Sequence, residues 1–265
     1  MPGAATLPHR NGTAYPGNRK LAVLPHEGTF SILYGSFPVP VGSGYRNGYL
    51  ARPDEAGRFP VVLLLPQLAG MGSHEKDLCR RLARRGIATL CLDLYRSDGD
   101  RLLPYGGTDD RSVLHDIEEA HDFLASEDVF WALPQRCGLL GLDVGGRLAL
   151  LSGARRPWVG AVAVVSAPLT GDEDRETAAA DLLAHVAVPV LGLYGSQDDL
   201  IDGATVDEAQ RRNAAGQWLL YEGAGHDFLD DGKAGFEPAA AADACERIIQ
   251  FFLAALPKAQ TEDLG

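Results

Sequence analysis

An aspartate stands at the centre of a glycine-rich stretch where a reactive side chain is expected. The segment "LLGLDVGGRL", residues 139–148, places Asp143 between an apolar strand pattern and a helix pattern. Glycines on both sides suit a strained strand-to-helix turn, because side chains there would collide with neighbouring backbone. The pattern around Gly141, Asp143 and Gly145 therefore predicts a turn that presents a carboxylate at its apex, ready to act as a nucleophile or a base.

Two further side chains complete a candidate catalytic triad. Asp198 follows the apolar run "VLGLYGSQ" and His226 follows "WLLYEGAG", so each is expected just beyond the C-terminal end of a strand. An acid followed by a histidine, both after the turn, is the chain order that such a triad requires. Asp199 is a competing acid, but Asp198 has the usual offset from the glycine that ends the strand.

Short apolar runs alternate with amphipathic segments along the chain, which predicts an α/β fold with a mostly parallel sheet covered on both faces. We expect a single domain over residues 26–258, a loose N-terminal arm over 1–25 and a C-terminal tail over 259–265. The predicted buried strands cover residues 61–66, 88–94, 137–142, 160–167, 188–195 and 217–223, preceded by two antiparallel edge strands near 29–36 and 45–52. The predicted helices cover residues 74–85, 109–126, 144–153, 176–186, 204–214 and 237–255.

Composition restricts the partners of the protein. The 24 basic and 36 acidic residues give a net charge of -12, which repels nucleic acid and anionic membranes. No apolar run approaches the roughly 18 residues of a membrane span. The four cysteines form no CxxC pair, and the N-terminus lacks the apolar core of a signal peptide. We therefore expect a cytoplasmic protein that acts on a small molecule, while its oligomeric state is left open.

From about residue 45 to 255 the chain resembles the dienelactone hydrolase family of the α/β-hydrolase superfamily. The likeness is carried by "LLLPQLAGMGSHEKDLCRRLARRGIATLCLDLY", by "GLDVGG", by "YGSQDD" and by "GAGHDF". It implies an α/β-hydrolase fold, and the short connection "PLTGDEDRET" leaves no room for a lid domain, so that loops shape the pocket. Asp143 takes the place of the family's nucleophilic cysteine, while Asp198 and His226 keep theirs.

The same resemblance implies several binding groups. The backbone N–H groups of Leu68 and Val144 would form the oxyanion hole. Gln67 stands where the family has a glutamate that restrains the thiol, and Arg96 falls near the family's substrate-binding arginine. As alternatives, Gln67 merely caps a loop and Arg96 pairs with a neighbouring acid.

Three other side chains are candidates for substrate binding. Tyr95 and Tyr105 are phenols on predicted loops, and His74 follows the first long strand, where the alternative is a solvated first turn of a helix. The remaining helical histidines, His121 among them, are expected at the surface or at an interface. Because no HExxH motif is present, we predict no metal site, and no cofactor.

A carboxylate at position 143 disfavours ordinary ester hydrolysis, since attack on an ester carbonyl would give an anhydride. Two roles remain: displacement at an sp3 carbon and abstraction of a proton. The leading hypothesis is a lyase that eliminates a carboxylic acid such as acetate from an acylated cyclic or polyketide substrate. This hypothesis also rests on a looser similarity to the acetate-eliminating enzymes of tetronate and spirotetronate biosynthesis. The alternatives are an Asp-nucleophile hydrolase of epoxides or alkyl halides, and an inactive hydrolase-fold binding protein.

Overall fold

The computed structural model describes residues 28, 30–42, 44–94, 110–170 and 178–261. The strands in these ranges are β1 (Ile32–Val41), β2 (Gly44–Pro53), β3 (Gly57–Leu65), β4 (Ala88–Leu92), β5 (Ala132–Leu142), β6 (Val159–Val165), β7 (Val190–Gly195), β8 (Gln217–Tyr221) and β9 (Gln260–Thr261). The helices are α1 (Ser73–Arg84), α2 (Asp110–Leu124), α3 (Val144–Arg155), α4 (Ala179–Leu182), α5 (Gly203–Arg212) and α6 (Pro238–Ala255). Each predicted strand and helix therefore has a counterpart, with ends shifted by a few residues.

The strands form one sheet in the order β1-β2-β4-β3-β5-β6-β7-β8, with β9 paired to β3. Strands β3 to β8 run parallel, while β1 and β2 form an antiparallel hairpin whose second strand also pairs antiparallel to β4. The prediction that 45–52 is an edge strand was wrong, because β1 covers the outer side of β2. The alternation of polar residues in β2 reflects its solvent-exposed first half rather than an unpaired edge.

The hydrophobic core lies on both faces of the sheet. Strand β3 shows why the sequence of a central strand is a continuous apolar run. Leu63 and Leu65 point toward the face covered by α2, α3 and α5, whereas Val62 and Leu64 point toward α1 and α6. All four side chains are fully buried. Because neither face meets water, alternate positions need not be polar, as is usual for parallel sheets.

One end of this sheet gathers the candidate catalytic groups. The C-terminal ends of parallel strands meet at a common edge, and the loops that follow β5, β7 and β8 carry Asp143, Asp198 and His226 respectively. Residues that are distant in the chain are thus brought into one cleft by strand direction alone.

The expectation of a surface position for His121 was wrong. Its imidazole is buried, stacks on the indole of Trp158 with ring centroids 4.2 Å apart, and places Nε2 3.1 Å from the carbonyl oxygen of Pro134. The helical pattern alone did not reveal that this face of α2 packs against the end of β5. His115, on the same helix, is exposed and lies 3.4 Å from Glu119.

Candidate active site

Asp143 occupies a strained turn between β5 and α3. Its φ of 48° lies in the left-handed region, which costs a non-glycine residue energy and is typical of side chains held for function. The turn is fastened on both sides: the N–H of Asp143 donates to Val165 at 2.9 Å, and its carbonyl accepts from Gly146 at 2.8 Å. The carboxylate therefore stands at the N-terminus of α3, where the helix dipole favours a negative charge.

Asp198 orients His226. The Nδ1 atom of the imidazole lies 2.8 Å from Asp198 Oδ2, and the other carboxylate oxygen accepts from the backbone N–H groups of Leu200 at 2.8 Å and Ile201 at 3.1 Å. The Asp198 side chain is completely buried, so both oxygens depend on these partners. The competing acid Asp199 is exposed.

The two oxygens of Asp143 have different neighbours. Oδ1 lies 3.8 Å from His226 Nε2, an ion-pair separation that is too long for a direct hydrogen bond. Oδ2 accepts a hydrogen bond from the backbone N–H of Leu68 at 3.1 Å. The N–H group assigned from the family resemblance to a substrate oxyanion thus points at the enzyme's own carboxylate.

The electrostatics of this arrangement favour a protonated imidazole. Burial by itself disfavours the charged ring, but the carboxylate of Asp143, 3.8 Å away, and that of Asp198, hydrogen-bonded at 2.8 Å, outweigh it and raise the pKa of His226 to about 10. His226 is therefore an imidazolium at neutral pH.

We expect the imidazole signals of His226 in an NMR titration to move near pH 10 rather than near the usual value of about 6.5. Because the pKa is raised on folding, protonation of His226 stabilises the fold fully below pH about 6.5, and this contribution is lost as the pH rises toward 10. Asp143→Asn removes one of the two charges and should lower the pKa. A wild-type midpoint near 6.5 would contradict the expectation.

Asp143 and His226 line a cleft of about 320 Å³ that is open to solvent. Its lining includes several residues that the sequence did not single out: Leu142, Val165, Ser166, Asp227, Leu229 and Asp230. Ser166 has a φ of 47°, and its hydroxyl donates to the carbonyl of His226 at 2.8 Å, so it holds the histidine loop. The available signal for Ser166 was its position directly after an apolar strand.

Two of the predicted substrate-binding residues also line this cleft. Gln67 donates from Nε2 to Asp230 Oδ2 at 3.1 Å, and the imidazole of His74 is nearly buried at the first turn of α1. Val144 is the first residue of α3 and is partly buried. Tyr95, Arg96 and Tyr105 lie outside the described residues, as do the predicted N-terminal arm and residues 262–265 of the tail.

The strand order, the turn at Asp143 and the acid and histidine loops define an α/β-hydrolase fold. The chain belongs to the dienelactone hydrolase family, which it matches over residues 47–256. It is 31% identical to a Methylorubrum extorquens protein named "Putative carboxymethylenebutenolidase", over 83% of this chain and 81% of that one. It is 30% identical to a Bradyrhizobium protein named "Probable 2-oxo-3-(5-oxofuran-2-ylidene)propanoate lactonase", over 75% and 85%.

Among solved structures, a putative dienelactone hydrolase from Klebsiella pneumoniae superimposes with a TM-score of 0.77 at 27% identity. The match covers 84% of this chain and 98% of that structure. The fold that the sequence predicts is thereby confirmed. Within the described residues, every helix is too short or too polar to cross a bilayer.

The leading sequence-based hypothesis about function was wrong. The family and the named relatives are hydrolases, which contradicts a lyase that eliminates acetate or another carboxylic acid. The elimination hypothesis was based on the carboxylate of Asp143. It failed because the type of side chain does not specify which bond of the substrate is broken. The hydrolase alternative agrees better with the family.

Proposed function

We propose that this protein is a hydrolase in which Asp143 attacks an sp3 carbon, as in an epoxide or an alkyl halide, and water then cleaves the resulting ester. The observation that carries the proposal is the 3.1 Å hydrogen bond from the Leu68 N–H to Asp143 Oδ2. Hydrolysis of an Asp143 ester places the developing oxyanion on Asp143 itself. A donor aimed at that oxygen is therefore placed where such a reaction needs it.

The first step uses the oxygen that faces the cleft. Oδ1 of Asp143 forms a bond to the carbon, and the carbon-to-leaving-group bond breaks with its electron pair on the leaving group. A halide departs as the anion, whereas an epoxide oxygen becomes an alkoxide and takes a proton from the imidazolium of His226, 3.8 Å from Oδ1. Alkylation leaves Asp143 uncharged.

The second step follows from that loss of charge. After an epoxide the imidazole is already neutral, whereas after a halide it releases its proton to solvent, which is easier because one of the two carboxylates that raise the pKa of His226 is now uncharged. In both cases the neutral ring can act as a base. His226 removes a proton from water, the hydroxide attacks the ester carbon of Asp143, and the oxyanion forms at Oδ2 beside the Leu68 N–H. Collapse breaks the bond between the ester carbon and the alkyl oxygen. That oxygen takes the proton of the newly formed carboxyl group and leaves as the alcohol, so that Asp143 is again a carboxylate and His226 remains an imidazolium. Asp198 keeps Nε2 of the ring directed at the cleft throughout.

A second candidate is direct hydrolysis of a lactone, in which Asp143 removes a proton from water that attacks the lactone carbonyl. The names of the two relatives, a carboxymethylenebutenolidase and a lactonase, favour it. This route requires the Leu68 N–H to leave Asp143 and bind the substrate oxygen, which the observed hydrogen bond does not support.

Single turnover in 18O-labelled water distinguishes the two routes. With enzyme in excess over an epoxide, an alkyl bromide or a butenolide, the ester route transfers an unlabelled oxygen from Asp143 to the product. The label then appears in the tryptic peptide of residues 137–147, which contains Asp143. Direct attack by water instead labels the product in the first turnover and leaves the peptide unlabelled, which would overturn the proposal. Asp143→Asn, which lacks the nucleophile, serves as the control for label that enters the peptide from water without turnover.

A further inference from the structure

A second group of polar side chains lies at one end of the cleft. His74, Asp230 and Asp231 each offer one nitrogen or oxygen atom, and these atoms all lie within 4.8 Å of one another. His74 comes from the first turn of α1, whereas the two aspartates follow the loop that carries His226. None of the three has a role in the hydrolytic steps described above.

The imidazole of His74 is the unusual member of this group. The residue is only 9% exposed, and within the described ranges its ring makes no hydrogen bond or ion pair. Its nitrogens are not among the fully enclosed side-chain atoms that lack a partner, so they reach the open space of the cleft. The ring lines the cleft together with Asp230, and one of its nitrogens lies within 4.8 Å of a carboxylate oxygen of Asp230 and of Asp231.

Asp230 is held in place by two donors. Its Oδ2 accepts from Gln67 Nε2 at 3.1 Å, and its Oδ1 accepts from the backbone N–H of Gly232 at 2.9 Å. Each carboxylate oxygen has a second lone pair. These hydrogen bonds therefore orient the carboxylate and still leave a lone pair on each oxygen for a metal ion. Outer partners of this kind typically fix the ligands of metal ions.

We propose that His74, Asp230 and Asp231 bind one divalent transition-metal ion. One imidazole nitrogen with two carboxylate oxygens suits Zn²⁺ or Mn²⁺ better than Ca²⁺ or Mg²⁺, which prefer oxygen ligands alone. Ligands about 2.0–2.2 Å from such an ion lie roughly 3.5 Å apart, so donor atoms that are now up to 4.8 Å apart need to approach one another by at most about 1.3 Å. Asp231 is exposed and has room to rotate toward the other two.

Three protein ligands leave coordination positions of the ion open, and these open positions would face the cleft. The ion would offset the negative charge of Asp230 and Asp231 and would accept an oxygen atom of a substrate that enters the cleft. This site goes beyond the proposed function, because the ester chemistry at Asp143 requires no metal ion.

Calorimetric titration of the full chain, freed of metal with a chelator, tests the proposal with ZnCl2 and MnCl2 as ligands. We expect saturable binding of one ion per chain, weakened at least tenfold by His74→Ala and by Asp231→Asn. His115→Ala and Asp199→Asn are the matched controls, since they remove an exposed histidine and an exposed aspartate elsewhere, and both should bind as the wild type does.

His226→Ala separates this site from the catalytic triad, which also combines an imidazole with carboxylates. Binding that survives His226→Ala and is lost in His74→Ala supports the proposal, whereas the opposite pattern overturns it. Absence of saturable binding of either ion to the wild type also overturns it. Should His74→Ala fail to fold, as judged by circular dichroism, the exposed Asp231→Asn decides the question alone. The 18O experiment at Asp143 is run without metal, so each proposal can fail independently of the other.

Discussion

His226→Ala is expected to stop the enzyme as a covalent ester at Asp143. An alkyl bromide is the substrate of choice, because bromide leaves without a proton and the first step then needs no histidine. Hydrolysis of the ester does need a base, and loss of such a group slows a reaction by about 10²–10⁴-fold. Steady-state turnover should therefore fall by about that factor while the ester accumulates.

Mass spectrometry of the tryptic peptide of residues 137–147 gives the direct measurement. In His226→Ala the peptide should gain the mass of the alkyl group in proportion to the bromide released. His115→Ala, which removes an exposed histidine on α2, should show neither the adduct nor the loss of turnover. Asp143→Asn lacks the nucleophile and should show no adduct. Consumption of bromide by His226→Ala at the wild-type rate, without any adduct, would refute the covalent route.

Gly141→Ala is expected to destabilise the turn that carries Asp143. A Cβ at this position would overlap the Cα and N atoms of Gly146 and the carbonyl oxygen of Gly145, all of which are backbone atoms. Backbone cannot move aside as a flexible side chain does, so β5 and α3 would have to separate. Overpacking of this kind costs about 3 kcal/mol of unfolding free energy, and Asp143 would lose its position as well.

Urea unfolding measures this effect against Gly44→Ala, where the added methyl group meets no atom within 4 Å. The control should unfold at nearly the same urea concentration as the wild type. A variant that accumulates only as insoluble protein, while the control stays soluble, leads to the same conclusion. If Gly141→Ala unfolds with a free energy within about 0.5 kcal/mol of the wild type, the turn is not as tightly packed as its backbone contacts indicate.

The proximity of the three candidate catalytic side chains could be predicted from the sequence, because it depends on strand direction. Asp143, Asp198 and His226 each follow an apolar run that forms a parallel strand, and the C-terminal ends of parallel strands meet at one edge. No other information is needed to bring the three side chains close together. The same reasoning fails for His121, since the helical pattern does not tell which element packs on which face.

The type of side chain at the turn did not predict the chemistry. A carboxylate can attack a carbon or remove a proton, and the sequence favoured elimination, whereas the family is one of hydrolases. The direction of one backbone N–H group bears on the choice between these reactions: the N–H of Leu68 points at Asp143 Oδ2. That direction depends on how the loop after β3 lies against the turn after β5.

Local patterns along this chain were sufficient for the strands, the helices and the order of the catalytic groups, because apolar periodicity and parallel strand direction operate over short stretches. The tertiary structure alone brought His74 to within 4.8 Å of Asp230 and Asp231 and pointed Leu68 at a carboxylate. These contacts join loops that are far apart in the chain and share no periodicity. Their geometry is set by the packing of α1 and of the loop after β8 against the end of the sheet, and no spacing of residues encodes it.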